Sequence, residues 1–113
     1  MKSYTTLEQS KQLAKILPLD SADMYYAYDI IYAIPYKNGI GTEKPCWSLA
    51  ALLDILNKTA YSIDEDASVN LSSYKAIEWD LGIDNSDLEL IIEADPIDAC
   101  IQMILKLNEL KLL

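Results

Sequence analysis

The sequence predicts a single α+β domain. It should hold one antiparallel sheet of about four to five strands and three helices, over about 6–17, 48–57 and 96–111, packed mainly on one face. Two patterns predict this. Apolar residues recur at helical spacing beside recognisable cap residues in three places, and they alternate with polar ones in between. The length agrees: 113 residues, about half of them apolar, suit one domain over 1–113. A chain this long buries roughly 65% of its unfolded surface, enough for a core without metal or disulfide staples.

The first helix is announced by Thr5 or Thr6 as N-cap, with Glu8 or Gln9 three residues on to complete a capping box. Leu7, Ser10, Ala14 and Leu17 share a face with Leu13 at its edge, Lys11 and Lys15 lie opposite, and Pro18 ends the helix. From Met24 to Ile34 the chain is rich in aromatic and β-branched residues. Met24, Tyr26, Tyr28, Ile30, Tyr32 and Ile34 fall on one side, which predicts a long strand. A helix starting at Asp20 or Asp23 is the competing reading. Pro35 to Lys44, with Asn38-Gly39 and Gly41, has the composition of a loop.

Ser48 is placed to cap the second helix on the N–H of Ala50 or Ala51, with Trp47 closing over Leu52 as a hydrophobic staple. Leu49, Leu52, Leu53 and Leu56 form its buried stripe. Tyr61–Ile63 and Ser68–Leu71 read as short strands around the acidic turn Asp64-Glu65-Asp66. Ile77, Trp79, Leu81 and Ile83 then alternate with polar residues or glycine, as Leu88, Leu90 and Ile92 do with Glu89, Ile91 and Glu93. A four-residue loop, Asp84–Asp87, would set Ile83 opposite Leu88, Leu81 opposite Leu90 and Trp79 opposite Ile92. For the last helix Asp95 is the cap and Pro96 sits at the first helical position. Ile97, Cys100, Ile101, Ile104, Leu107 and Leu110 make one face.

What the chain lacks limits its chemistry. It has no histidine and no arginine, and it carries eighteen Asp and Glu against nine lysines. No Ser-His-Asp or Cys-His pair can form, no His-based zinc site, and no guanidinium fork for phosphate. Residues 1–58 hold six lysines and six carboxylates. Residues 59–113 hold three lysines and twelve carboxylates, and so carry the whole net charge of −9. Nucleic acid and anionic membranes both want a basic surface and are not expected as partners. No apolar run resembles a signal peptide or approaches the ~20 residues of a membrane span, so the expected setting is the cytoplasm, with Cys46 and Cys100 reduced.

Few residues could carry a reaction. Cys46 precedes a helix start, where N–H groups could lower a thiol pKa, but it has no base; a packed thiol is the simpler reading. Cys100 lies on an apolar helix face. The predicted register sets Glu78 opposite Glu93 on the outer side of the hairpin, with Asp80 and Glu89 diagonal to them. Such a cluster invites a cation, a lysine or a protein partner, or is simply screened by solvent. Asp64-Glu65-Asp66 does not fit a calcium loop of the EF-hand type: position six would be Val69 and position twelve Lys75. Of eight tyrosines, five fall between Tyr25 and Tyr36. Tyr25, Tyr26, Tyr28, Tyr32 and Tyr36 form either a half-buried strand or a binding face.

Four blocks of sequence carry a resemblance. They are Glu8-Gln9-Ser10-Lys11-x-Leu13, Ala22-Asp23-Met24-x-Tyr26, Pro45-Cys46-Trp47-Ser48-Leu49-x-x-Leu52-Leu53, and Asp98-Ala99-Cys100-x-x-Met103-x-x-Lys106-Leu107. Together they resemble a loose group of short proteins from gut anaerobes and their phages or mobile elements. The Trp-Ser-Leu helix start is the most specific piece. Such proteins often carry proline after the second helix, where this chain has Asn57-Lys58. The resemblance implies no activity and no site residue. It implies a setting in which small accessory and inhibitor proteins are common.

The expectation is therefore a small non-enzymatic, acidic protein without a cofactor, acting by contact with itself or with a basic protein. Its surface would be Tyr25, Tyr26, Tyr28, Tyr32, Tyr36, Glu78, Asp80, Glu89 and Glu93. An acidic mimic of DNA that blocks a nucleic-acid enzyme is the alternative, and a divalent-metal-assisted hydrolase the third.

Overall fold

The structure is a computed structural model and describes residues 2–26, 33–35, 44–74 and 78–113. It is an α+β fold, as the patterning predicts. Among the described residues three α-helices accompany two antiparallel sheets: α1 (Leu7–Ala14), α2 (Leu49–Ile63) and α3 (Pro96–Glu109), with β1 (Met24–Tyr26), β2 (Ala33–Pro35), β3 (Pro45–Cys46), β4 (Val69–Tyr74), β5 (Glu78–Ile83) and β6 (Ile91–Glu93). The first sheet has the order β2-β1-β3 and the second β4-β5-β6. The expected single sheet is thus divided in two.

Helix starts follow the local chemistry. Thr6 accepts from the Gln9 N–H at 3.2 Å and donates its own N–H to the Gln9 side chain at 3.0 Å, a complete capping box. Ser48 caps α2 by accepting from Ala51 N–H at 3.2 Å. Asp95 caps α3 by accepting from Ile97 N–H at 2.8 Å, with Pro96 behind it. Helix ends were less legible. Regular α1 stops at Ala14, and the Ile16 and Leu17 N–H groups close a turn onto the Leu13 carbonyl before Pro18.

Helix α2 runs six residues past its expected end, so Tyr61–Ile63 is helical and not a strand. Leu52, Leu56, Ala60 and Ile63 continue one inward stripe. The hydroxyls of Thr59 and Ser62 bond back to the carbonyls of Ile55 and Thr59, spending polar groups that would otherwise favour a break.

The expected long strand over 24–34 is also corrected. β2 lies antiparallel to β1 with Tyr25 opposite Ile34, so Met24–Tyr26 and Ala33–Pro35 are two paired strands; residues 27–32 of the expected strand lie outside the described residues. Period-two alternation is satisfied equally by one long strand or two short ones, and nothing local distinguishes them. Most of the predicted 35–44 loop, and Ile77 of the predicted hairpin, lie outside the described residues.

The third correction concerns register. β5 and β6 pair Trp79 with Glu93, Asp80 with Ile92 and Leu81 with Ile91, one residue away from the expected pairing. Seven residues connect them, with Asn85 at φ 58° in the left-handed region. The run Leu90-Ile91-Ile92 is apolar on both faces, so either phase offers an apolar side. In the observed phase Ile91 joins Leu71 and Leu81 over the core, and Leu90 and Ile92 face outward, each 54% exposed. Leu90 lies against Gly82, where a Cβ would come within 3.0 Å of its Cδ1.

The core joins one face of the second sheet to α2 and α3, and runs on to Leu13, Leu17, Ala22 and Trp47. Its largest fully buried side chains include Trp47, Leu52, Leu56, Leu81, Ile97, Met103, Ile104 and Leu107. Among the described residues no helix is long and apolar enough to cross a membrane.

Candidate functional site

The tyrosine face expected at β1 does not form there. Tyr25 and Tyr26 are buried. Tyr26 donates its hydroxyl to the Thr5 carbonyl at 2.7 Å and meets Tyr4 edge-to-face with centroids 6.2 Å apart. Burial, helped by the neighbouring Cys46 and Tyr4, pushes its phenol up to about 12. Tyr28, Tyr32 and Tyr36 lie outside the described residues. Among the residues whose burial is described, the exposed tyrosine is Tyr61, in α2.

Tyr26 belongs to a buried polar knot with Thr5 at its centre. Thr5 Oγ1 lies 2.7 Å from Ser10 Oγ and 3.5 Å from Cys46 Sγ, and accepts from Trp47 N–H at 3.1 Å. The knot ties the chain before α1 to β3 and to the entry of α2. It leaves Cys46 as a packed thiol: burial raises its pKa, and hydrogen bonds from Thr5 and Ser10 oppose this only in part. Cys100 is buried in α3, and desolvation pushes it up to about 12. Neither thiol is poised as a nucleophile.

The expected carboxylate cluster is undone by the register. Glu93 stands beside Trp79, Asp80 beside Ile92, Glu78 opposite Tyr74 and one place before Trp79, hence on the other face from Glu93, and Glu89 is in the connection before β6. Among the described residues no group of three or more His, Cys, Asp or Glu side chains could hold a metal.

A different set of residues is brought together, by contacts distant in sequence. Asn85 Nδ2 donates to the Asp66 carbonyl at 2.9 Å, Asp84 accepts from Asn70, and the Asp84 N–H meets the Ser68 carbonyl at 2.8 Å. These bonds join the turn after α2 (Asp64-Glu65-Asp66) to the turn after β5 (Asp84–Asp87). Beside them lies a groove of about 550 Å3 lined by Ile63, Leu88, Leu110 and Leu112, with Asn85, Ser86 and Asp87 at one side. Leu110 is 47% and Leu112 41% exposed. The sequence reading missed this groove because it made Ile63 a strand residue and placed Leu110 on the buried face of α3. One signal was present: Leu112 and Leu113 follow the expected end of the last helix, with no helix face to bury them.

Comparison with known proteins gives no match: no family model, curated protein or solved structure aligns significantly with the chain.

Proposed function

We propose that this is a small, non-enzymatic interaction protein that works by contact with a basic protein partner. One observation carries the reading: large apolar side chains stand exposed on a strongly acidic chain. Leu110 and Leu112, which line one groove, are both more than 40% open, and the net charge is −9. Apolar surface of this kind marks contact sites, and the charge selects a cationic partner while repelling nucleic acid and a second copy. The setting is the cytoplasm, where two free, buried cysteines stay reduced. The block resemblance to small proteins of gut anaerobes and their mobile elements agrees with such an accessory role.

The test is the solution mass by size-exclusion chromatography with light scattering at low and moderate salt, followed by affinity capture of partners. A monomer at both salts, retaining a basic protein that salt releases, is the expected result. A dimer that survives salt would replace the basic partner with self-association.

A further inference from the structure

The groove beside the two acidic turns has a polarity of its own. Ile63 is the last residue of α2, and Leu110 is the C-cap of α3, so both helices end at its wall. A helix C-terminus carries roughly half a negative charge on its last carbonyls, and that charge falls off within the final turn. The rim adds formal charge. Asp87 lines the groove, and the exposed Asp64, Glu65, Asp66 and Asp84 belong to the two neighbouring turns that the Asn85–Asp66 bond holds together. Lys111, also exposed, is the cation next to Leu110 and Leu112. Between these negative elements the lining is aliphatic.

We propose that this groove docks a lysine- or arginine-rich segment of a protein partner that also carries aliphatic anchors. The inference rests on the reading of the protein as a binder of basic proteins, and it names the surface and the chemistry. Anchor side chains enter between Ile63, Leu88, Leu110 and Leu112. The cationic heads, on flexible apolar stems, reach out to the acidic turns and the helix ends. Charge selects this occupant. A second copy would bring its own acidic rim against this one, and lipid headgroups or nucleic acid would bring phosphate to it.

The probe is a fluorescein-labelled peptide of roughly 14 residues built from leucine and lysine at helical spacing, with a leucine–glutamate counterpart. Binding is followed by fluorescence anisotropy at low and moderate salt. Three double variants are compared with the parent chain: Leu110→Ser with Leu112→Ser, Glu65→Lys with Asp87→Lys, and Leu90→Ser with Ile92→Ser on the outer sheet face. All six positions are exposed, and thermal melts confirm that each variant is folded. The leucine–lysine peptide should bind, more weakly at higher salt, and the glutamate peptide should not. The first two variants should each weaken binding about tenfold or more, and the third should leave it unchanged.

Binding that is indifferent to Leu110→Ser with Leu112→Ser overturns the groove but leaves the basic-partner reading standing. A parent dimer that this same variant dissociates shows a second copy in the groove and overturns both. No binding of the cationic peptide overturns the groove proposal, and the capture experiment then judges the broader reading by itself.

Discussion

Replacing Thr5 with valine keeps the side chain's branched shape and removes one hydroxyl from the buried knot. The structure shows what is stranded. Trp47 N–H loses the acceptor at 3.1 Å, in a residue with no exposed surface. Ser10 keeps the Cys46 thiol as a partner, and Cys46 keeps the Thr5 carbonyl at 3.4 Å. One orphaned buried donor costs about 1–3 kcal/mol, and the lost hydrogen bond about 1 more, offset in part by the added methyl. The net expectation is a loss of about 2–3 kcal/mol, or a fall in Tm of about 10 °C for a chain of this size. Thr5→Ser is the control. It keeps the hydroxyl and removes one buried methyl, at about 1 kcal/mol. Urea titration followed by the fluorescence of Trp47 and Trp79 reads both variants, with midpoints compared at a common slope. The valine variant should be the less stable. If the serine variant is less stable instead, methyl packing rather than the hydroxyl holds this junction, and the reasoning fails.

Two further expectations follow from the register and the buried acids. Ile92→Lys on the outer face should change stability by less than about 0.5 kcal/mol, whereas Ile91→Lys, against the core, should cost about 3 kcal/mol in the same titration. The opposite order would restore the pairing of Trp79 with Ile92. Cys100 rises from 9.0 to about 12 on folding and Tyr26 from 10.0 to about 12, so the folded state holds both protons longer than the unfolded chain does. Their stabilising contribution is therefore whole below about pH 9 and is lost as pH climbs towards 12, with a slope of up to about 1.4 kcal/mol per pH unit for each group. Urea midpoints between pH 8 and 10.5 should fall, and should fall less steeply in Cys100→Ala. An unchanged slope in that variant would mean the thiol does not titrate with unfolding.

The tertiary contacts also explain why the sequence reading of the site went astray. Tyr25 and Tyr26 stand out in the sequence for their aromatic density. Density alone does not separate a core from a surface, and here α1's entry segment covers Tyr26. Glu78 and Glu93 face each other only in the expected register, and the observed one, a single step away, parts them. The groove was invisible because Ile63, Leu88 and Leu110 are separated by more than twenty residues at each step.

The amino-acid sequence by itself determined the α+β class, the three helix starts and the acidic, histidine-free chemistry. Each helix start rests on residues within one turn of one another, as Thr6 with Gln9, Ser48 with Ala51 and Asp95 with Ile97 do. The tertiary structure decided the pairing of β1 with β2, the length of α2, the register of β6 and the meeting of the two acidic turns. In those places the local pattern had two solutions of nearly equal merit. Only contacts across the chain, such as Ile91 over the core and Asn85 on Asp66, separate them.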